Sequence, residues 1–142
     1  MLFMGTYTPK LDEKGRLFLP AKFRDRFGEG LVVTQGQESC LVVWPRDVFA
    51  HESERAASRP MTSAAARKYA RVLYSGGDEG TPDKQGRIGI SAYLREYADL
   101  DRDVVVIGVR DRLEIWNPTR WREFQAAALQ DFSDLDEDDP GA

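Results

Sequence analysis

The chain has 142 residues, 42% of them hydrophobic and 31% charged, and carries a formal net charge of −4 at pH 7. This length suits one ordinary domain or two small modules that share a core. No apolar run reaches membrane-spanning length, and the start MLFMGTY lacks the features of a signal peptide, so we expect a cytoplasmic protein without a membrane partner.

The first predicted elements form a module over residues 5–50. Residues 3–7 alternate as a short strand, with Gly5 at a bulge. The segment 13–15 ends in a glycine, which permits the positive φ of a tight turn. The elements expected next are a strand at 17–19, a helix at Pro20–Phe27 that starts on proline and ends at Gly28, a hairpin pairing 31–34 with 40–44, and a second helix.

A helical connector is predicted over residues 51–75. Apolar residues share one face of the segment Met61–Tyr74, and Thr62 is a candidate N-cap. The glycine pair 76–77 should end this helix. Residues 53–60 are expected to form a softer hinge before it.

The second predicted module, residues 76–125, repeats the first. DEKGR at residues 12–16 returns as DKQGR at residues 83–87, and both copies continue into similar apolar frames. A helix at 92–98 capped by Ser91, a hairpin pairing 103–107 with 112–116, and a helix from Asn117-Pro118 complete the repeat. Such self-similarity indicates a duplicated unit, which predicts an α+β fold with pseudo-twofold symmetry within the chain.

An acidic segment closes the chain at residues 131–142. It holds six acids and no Lys or Arg, so the other residues carry 20 bases against 18 acids, a net +2. A like-charged block of this kind predicts a disordered tail.

The sequence offers little support for a catalytic site or a metal site. Cys40 is the single cysteine and His51 the single histidine, which excludes a disulfide framework and argues against a thiol or zinc site. We expect a buried thiol at Cys40 and an exposed helical residue at His51. The sequence therefore predicts a protein that is not an enzyme and needs no cofactor or metal.

The two glycine turns are the candidate binding elements. Residues 10–26 carry six bases against three acids, a local charge of +3, and Arg16 and Lys14 lie at the turn tip. Arginine on a protruding turn can contact phosphate or a guanine edge. Asp12 and Asp83 either brace their turns or also reach a partner. The candidate DNA-binding residues are Lys10, Asp12, Lys14, Gly15, Arg16, Lys22, Arg24, Asp83, Lys84 and Arg87.

Large aromatic residues lie at the ends of both hairpins and just after them. Trp44, Trp116, Trp121, Phe49 and Phe124 could stack on bases, but their position beside strand valines favours a core or a subunit interface.

The motifs together resemble those of the MraZ proteins, a family of bacterial transcriptional regulators. The resemblance rests on Phe3, Gly5 and Tyr7, then LDEKGRLFLPAKFR, LYSGG, DKQGRIGISAYLREYADL and VVVIGVRDRLEIW. It implies two tandem AbrB/SpoVT-like modules in a split β-α-β arrangement, assembled into a ring of subunits. It also implies that Asp12 and Arg16, and Asp83 and Arg87, form the family's DNA-binding signature.

The resemblance further implies a repressor of its own division and cell-wall gene cluster, located in the cytoplasm and nucleoid, that binds direct repeats in double-stranded DNA as a homo-oligomer. The alternative is a ring-forming scaffold that binds other proteins and contacts DNA incidentally. A small hydrolase is a third possibility, but the sequence supplies no polar pocket for one.

Overall fold

Residues 2–136 are described by the computed structural model, and short strands alternate with helices along them. The eight strands found there are β1 (Thr6–Tyr7), β2 (Arg16–Phe18), β3 (Leu31–Gln35), β4 (Leu41–Pro45), β5 (Asp78–Gly80), β6 (Arg87–Gly89), β7 (Val105–Val109) and β8 (Arg112–Trp116). The four α-helices are α1 (Arg46–Ala57), α2 (Ala64–Ser75), α3 (Ala92–Tyr97) and α4 (Pro118–Ser133), and 3₁₀ helices occupy Ala21–Phe27 and Gln37–Ser39.

Six strands form one antiparallel sheet in the order β1-β7-β8-β4-β3-β5. The two predicted hairpins are confirmed as β3–β4 and β7–β8, although β7 runs over Val105–Val109 rather than the predicted 103–107. They join through β4 and β8 at the centre of the sheet. The edge strands are exchanged: β1 precedes the first hairpin but pairs with β7, and β5 precedes the second hairpin but pairs with β3. The two halves are therefore intertwined around a shared sheet.

The remaining strands, β2 and β6, pair only with each other and form a two-stranded antiparallel ribbon. The ribbon and the two short helices that follow its strands pack against one face of the large sheet. This layer holds the main core, to which the first module contributes Phe23 and Phe27 and the second contributes Leu94 and Ala98, as the i, i+4 spacing predicted.

The opposite face of the sheet is covered by the longer helices. Val48 and Phe49 of α1 pack on Trp44, and Trp121 of α4 packs on Trp116. Trp44 and Trp116 are buried, and the Trp44 indole donates a hydrogen bond to the Thr34 hydroxyl at 2.9 Å. The interpretation of these tryptophans as core residues is confirmed.

Local sequence signals set most helix ends. Ser91 caps α3 by accepting a hydrogen bond from the Leu94 backbone, and Asn117 caps α4 ahead of Pro118. Gly28 ends the first 3₁₀ helix as predicted, but Pro20 is its N-cap rather than its first residue.

Two predictions around the connector are wrong. The α2 helix starts at Ala64, and Ser63 rather than Thr62 accepts the capping bond from the Ala66 backbone. The α1 helix continues to Ala57, so most of the segment predicted as a hinge is helical. Val48 and Phe49, both in its first turn, pack against the sheet. The rest of α1 is a polar surface helix, which leaves little periodic pattern in the sequence.

The acidic segment also differs from the prediction at its start. Residues 131–133 belong to the last turn of α4, so the expectation of disorder is wrong for these three. Residues 137–142 of the predicted tail lie outside the described residues. Among the described residues, no helix combines the length and the apolar character needed to cross a membrane.

Cys40 is buried, as predicted, and gives the fold a pH dependence. Burial raises the pKa of its thiol from 9.0 to about 12. Above pH 9 the unfolded chain releases the thiol proton and the folded chain keeps it, so the free energy of unfolding should fall by about 1.4 kcal/mol per pH unit until about pH 12. Denaturant melts of the natural chain and of Cys40→Ala between pH 8 and 10 should differ in this slope; parallel curves would contradict the prediction.

Candidate nucleic-acid interface

The first glycine turn is closed by its own aspartate. The Asp12 carboxylate accepts backbone hydrogen bonds from Lys14 at 2.9 Å and Arg16 at 2.8 Å, and its second oxygen accepts from Arg16 Nε at 2.7 Å. Gly15 takes a φ of +73°, the left-handed conformation that glycine adopts without strain. Asp12 therefore braces the turn and holds the Arg16 side chain at the same time.

The second turn repeats this geometry. Asp83 accepts from the backbone of Gln85 at 2.9 Å and of Arg87 at 2.8 Å, and from Arg87 Nε at 2.8 Å, while Gly86 takes a φ of +80°. In each turn the arginine uses Nε for the aspartate, and its two terminal nitrogens have no hydrogen-bond partner among residues 2–136. Each turn thus presents the planar end of a guanidinium group.

The ribbon brings the two turns onto one surface. In its register Arg16 lies opposite Gly89, Leu17 opposite Ile88, and Phe18 opposite Arg87. Because successive side chains of a strand point to opposite faces, Leu17 and Ile88 are buried and the other four residues lie on the outer face. Arg16 and Arg87 are diagonal neighbours in this register, which sets their Cα atoms about 7–8 Å apart.

Each turn is buttressed by an arginine from the other module. A methyl group at Gly15 would lie 2.9 Å from the guanidinium carbon of Arg95, and one at Gly86 would lie 2.7 Å from that of Arg24. Arg95 donates to the Ile90 carbonyl at 3.0 Å, and Arg24 donates to the Leu19 carbonyl at 3.4 Å. The two glycines therefore provide room for these side chains as well as backbone freedom.

This arrangement corrects one grouping from the sequence. Lys22 and Arg24 follow the first turn in the basic run of residues 10–26, which groups them with that turn in the sequence. In the structure Arg24 lies against the second turn, and the Lys22 ammonium lies 5.3 Å from the Tyr7 ring centroid and 5.1 Å from that of Phe23. Lys10 is exposed and forms an ion pair with Asp103 at 3.1 Å. Lys14 and Lys84 remain exposed on their turns.

Sequence reasoning missed three residues beside the turns. Arg95 and Arg102 line a hollow of about 610 Å³ beside the first turn, together with Lys14 and Arg16. Phe18, 49% exposed, lies on the outer face of the ribbon with the Arg87 guanidinium 5.8 Å from its ring centroid. Arg95 could have been identified from the sequence, because it occupies the same position in the second copy of the repeat as Arg24 does in the first.

The aspartates are held ionised. The backbone N–H of Arg16 and the side chain of Arg16 lower the pKa of Asp12 below 3.8, and Arg87 does the same for the pKa of Asp83. Because the folded-state pKa is depressed, the stabilisation from each carboxylate is present above pH 3.8 and is lost as the pH falls through the lower folded value. Neither carboxylate is suited to acid–base catalysis at neutral pH.

An Asp12→Asn variant should retain the conformation of the first turn but leave the Arg16 side chain less well oriented. The amide oxygen can still accept from the backbone N–H groups, whereas the charge that orients Arg16 is lost. We expect DNA affinity to fall about 3- to 10-fold while the denaturant midpoint of unfolding stays nearly unchanged. Titration with operator DNA and a denaturant melt check both; a large loss of stability with unchanged affinity would contradict the positioning role.

Residues 2–136 contain no cluster of three or more His, Cys, Asp or Glu side chains that could hold a metal ion. The outer face of the ribbon carries Arg16 and Arg87, and guanidinium groups are donors that can bind anions.

Comparison with known proteins places both halves of the chain in one family. Residues 2–72 and 73–140 each match the family model described as "MraZ protein, putative antitoxin-like". A protein from Nocardioides sp. named "Transcriptional regulator MraZ" is 72% identical over 137 residues, covering 96% of this chain and 95% of its own length. Relatives of the same name from Salinispora tropica and Micrococcus luteus are 50% and 51% identical, each covering 96% of both chains.

Proposed function

The chain belongs to the MraZ family, and from that premise we propose that it is a DNA-binding transcriptional regulator that acts through the outer face of the β2–β6 ribbon. The observation that carries the proposal is the register of the ribbon, which sets Arg16 and Arg87 on one exposed surface. A two-stranded antiparallel ribbon has the width to enter the major groove, where forked guanidinium groups read guanine.

We assign the residues on and around the ribbon different roles. Arg16 and Arg87 contact base edges or phosphates, while Asp12 and Asp83 hold them in place. Lys14 and Lys84 on the turn tips, and the exposed Lys10, contact the sugar–phosphate backbone. Gly15 shapes the first turn. Arg24 acts beside the second turn, and Lys22, which lies over the Tyr7 and Phe23 rings, adds to the positive field.

The finer proposals follow from the family resemblance. The chain represses its own division and cell-wall gene cluster, working in the cytoplasm and nucleoid on direct repeats. Its two AbrB/SpoVT-like modules comprise residues 5–50 and 76–125, in a split β-α-β arrangement joined by the connector 51–75. Several ribbons displayed by a ring-like homo-oligomer on tandem repeats gain affinity from a high effective concentration.

Footprinting of the purified protein on the DNA upstream of its own gene tests this proposal. We expect protection of short repeats, and an affinity for random DNA that falls steeply and linearly with salt on logarithmic axes. An affinity for DNA that depends on neither the DNA sequence nor the salt concentration would instead favour a scaffold that binds other proteins.

A further inference from the structure

The outer face of the ribbon carries a single aromatic side chain beside its two arginines. Phe18 is 49% exposed on β2 and lies directly opposite Arg87 in the register, with the Arg87 guanidinium 5.8 Å from its ring centroid. Arg16 and Gly89 complete this face. Phe18 belongs to none of the core clusters formed by residues 2–136. Its ring is therefore held beside a charged group at the surface rather than packed in the core.

The ribbon does not need a large side chain at this position in order to fold. Gly89 occupies the place in the second copy of the repeat that Phe18 occupies in the first, and nothing lies within 4 Å of a Cβ atom built at Gly89. A single exposed apolar residue is ordinary on a protein surface, so the exposure of Phe18 alone indicates nothing. What sets Phe18 apart is its place within the candidate binding face.

The side chains around Phe18 define the kind of surface that can cover it. The terminal nitrogens of Arg16 and Arg87 have no hydrogen-bond partner among residues 2–136 and lie on the same face as the ring. A partner must therefore offer hydrogen-bond acceptors to the two arginines and a small apolar group to the ring that lies between these donors and the solvent.

The major groove of DNA offers this combination at one kind of base pair. The acceptors of guanine suit a forked guanidinium group, and all four bases present polar edges. Thymine alone adds an apolar group there, the methyl group at C5, which aromatic and aliphatic side chains contact. A ring beside two guanidinium groups thus matches a thymine that lies near the bases read by the arginines.

We propose that Phe18 contacts the C5-methyl group of a thymine in the operator and so makes the ribbon select thymine at that position. The contact rests on the proposed function, because the methyl group is reached only from within the major groove. Phe18 and Arg16 are two residues apart on β2, about 6.6 Å, which matches about two base steps of DNA. The thymine should therefore lie within about two base pairs of the base that Arg16 contacts.

Operators in which one thymine at a time is replaced by deoxyuridine test the contact. Deoxyuridine lacks the C5-methyl group and keeps every hydrogen-bonding group of thymine. We expect one such replacement in a repeat to weaken binding of the natural chain about 3- to 5-fold, as the loss of one buried methyl group predicts. Fluorescence anisotropy measures the affinities.

The Phe18→Ala chain completes a double-mutant cycle with the deoxyuridine operator. It should bind the thymine operator about 3- to 10-fold more weakly than the natural chain, and should bind the two operators equally well. The Phe18→Leu chain keeps an apolar side chain but offers Arg87 no ring, so it should still prefer thymine. Met61→Ala is the control, because Met61 is 66% exposed outside the ribbon, and it should retain the full preference.

Four results would overturn the proposal. The natural chain could bind every deoxyuridine operator as tightly as the thymine operator. The preference for thymine could persist in Phe18→Ala, which would assign the methyl group to another residue. Phe18→Leu could lose the preference, which would mean that the ring acts only by positioning Arg87. A lower mass of Phe18→Ala than of the natural chain in light scattering would show that a second copy of the chain covers the ring.

Arg16→Ala and Arg87→Ala on the same operators separate this contact from the proposed function. If they weaken operator binding while no deoxyuridine effect depends on Phe18, the ribbon proposal stands and the methyl contact is refuted. If both arginine variants leave operator affinity unchanged, the ribbon does not bind the operator and the proposed function itself is wrong.

Discussion

Replacement of Arg16 by alanine should weaken binding to operator DNA by about 1–3 kcal/mol for each turn that engages the DNA, and should weaken binding to random DNA less. The reason is that the Arg16 guanidinium is oriented by Asp12 at 2.7 Å, which leaves its terminal nitrogens available for a forked contact. In an oligomer that engages several repeats, the losses at successive turns should compound. Fluorescence anisotropy with operator and scrambled duplexes measures the two affinities.

The matched control is Arg67→Ala, which removes the same charge from α2 on the opposite side of the sheet. Its effect should be small on both duplexes. Equal losses for Arg16→Ala on operator and scrambled DNA would reassign Arg16 to phosphate contact. Unchanged operator affinity would remove it from the interface.

The Arg87→Ala variant should weaken binding to operator DNA less than the Arg16→Ala variant does. The Arg16 side chain is 34% exposed and that of Arg87 is 21% exposed, and Arg87 also lies against the Phe18 ring. The first turn carries Lys14 where the second carries Gln85. A titration in which Arg87→Ala costs more than Arg16→Ala would show that the second turn dominates recognition.

A Gly86→Val variant should lower the free energy of unfolding by about 2–4 kcal/mol. The φ of +80° is strained for a β-branched residue, and the new side chain would meet the Arg24 guanidinium, whose carbon lies 2.7 Å from the position of Cβ. Relief of that collision moves the arginine that buttresses the second turn. Urea denaturation followed by circular dichroism measures the loss.

Gly89→Val provides the matched control on the same strand. Nothing lies within 4 Å of a Cβ atom at Gly89, and its backbone is not in the left-handed region, so the change should stay within about 0.5 kcal/mol. Comparable losses at the two positions would mean that general ribbon strain, rather than the turn, accounts for the effect.

Much of the local structure could be predicted because its causes lie within a few residues. The glycine of each DEKGR-like motif predicted a turn with positive φ, and Ser91 and Asn117-Pro118 predicted helix starts, as observed. The α1 helix beyond its first turn was missed, because its polar residues carry no periodic signal and only the first turn contacts the sheet.

The sequence predicts the duplication, the two turns, the hairpins and the apolar faces of the short helices, because each depends on backbone preferences or on spacing along the chain. The complete fold is needed to show that edge strands are exchanged between halves and that Arg24 and Arg95 each buttress the turn of the other half. The pairing of β2 with β6 into one ribbon, with Arg16 and Arg87 on one face, likewise appears only in the fold. These contacts join residues far apart in the sequence, such as Val33 with Asp78 and Thr6 with Ile107, and no local preference specifies such a partner. The shared core, which buries Leu17 beside Ile88, selects it.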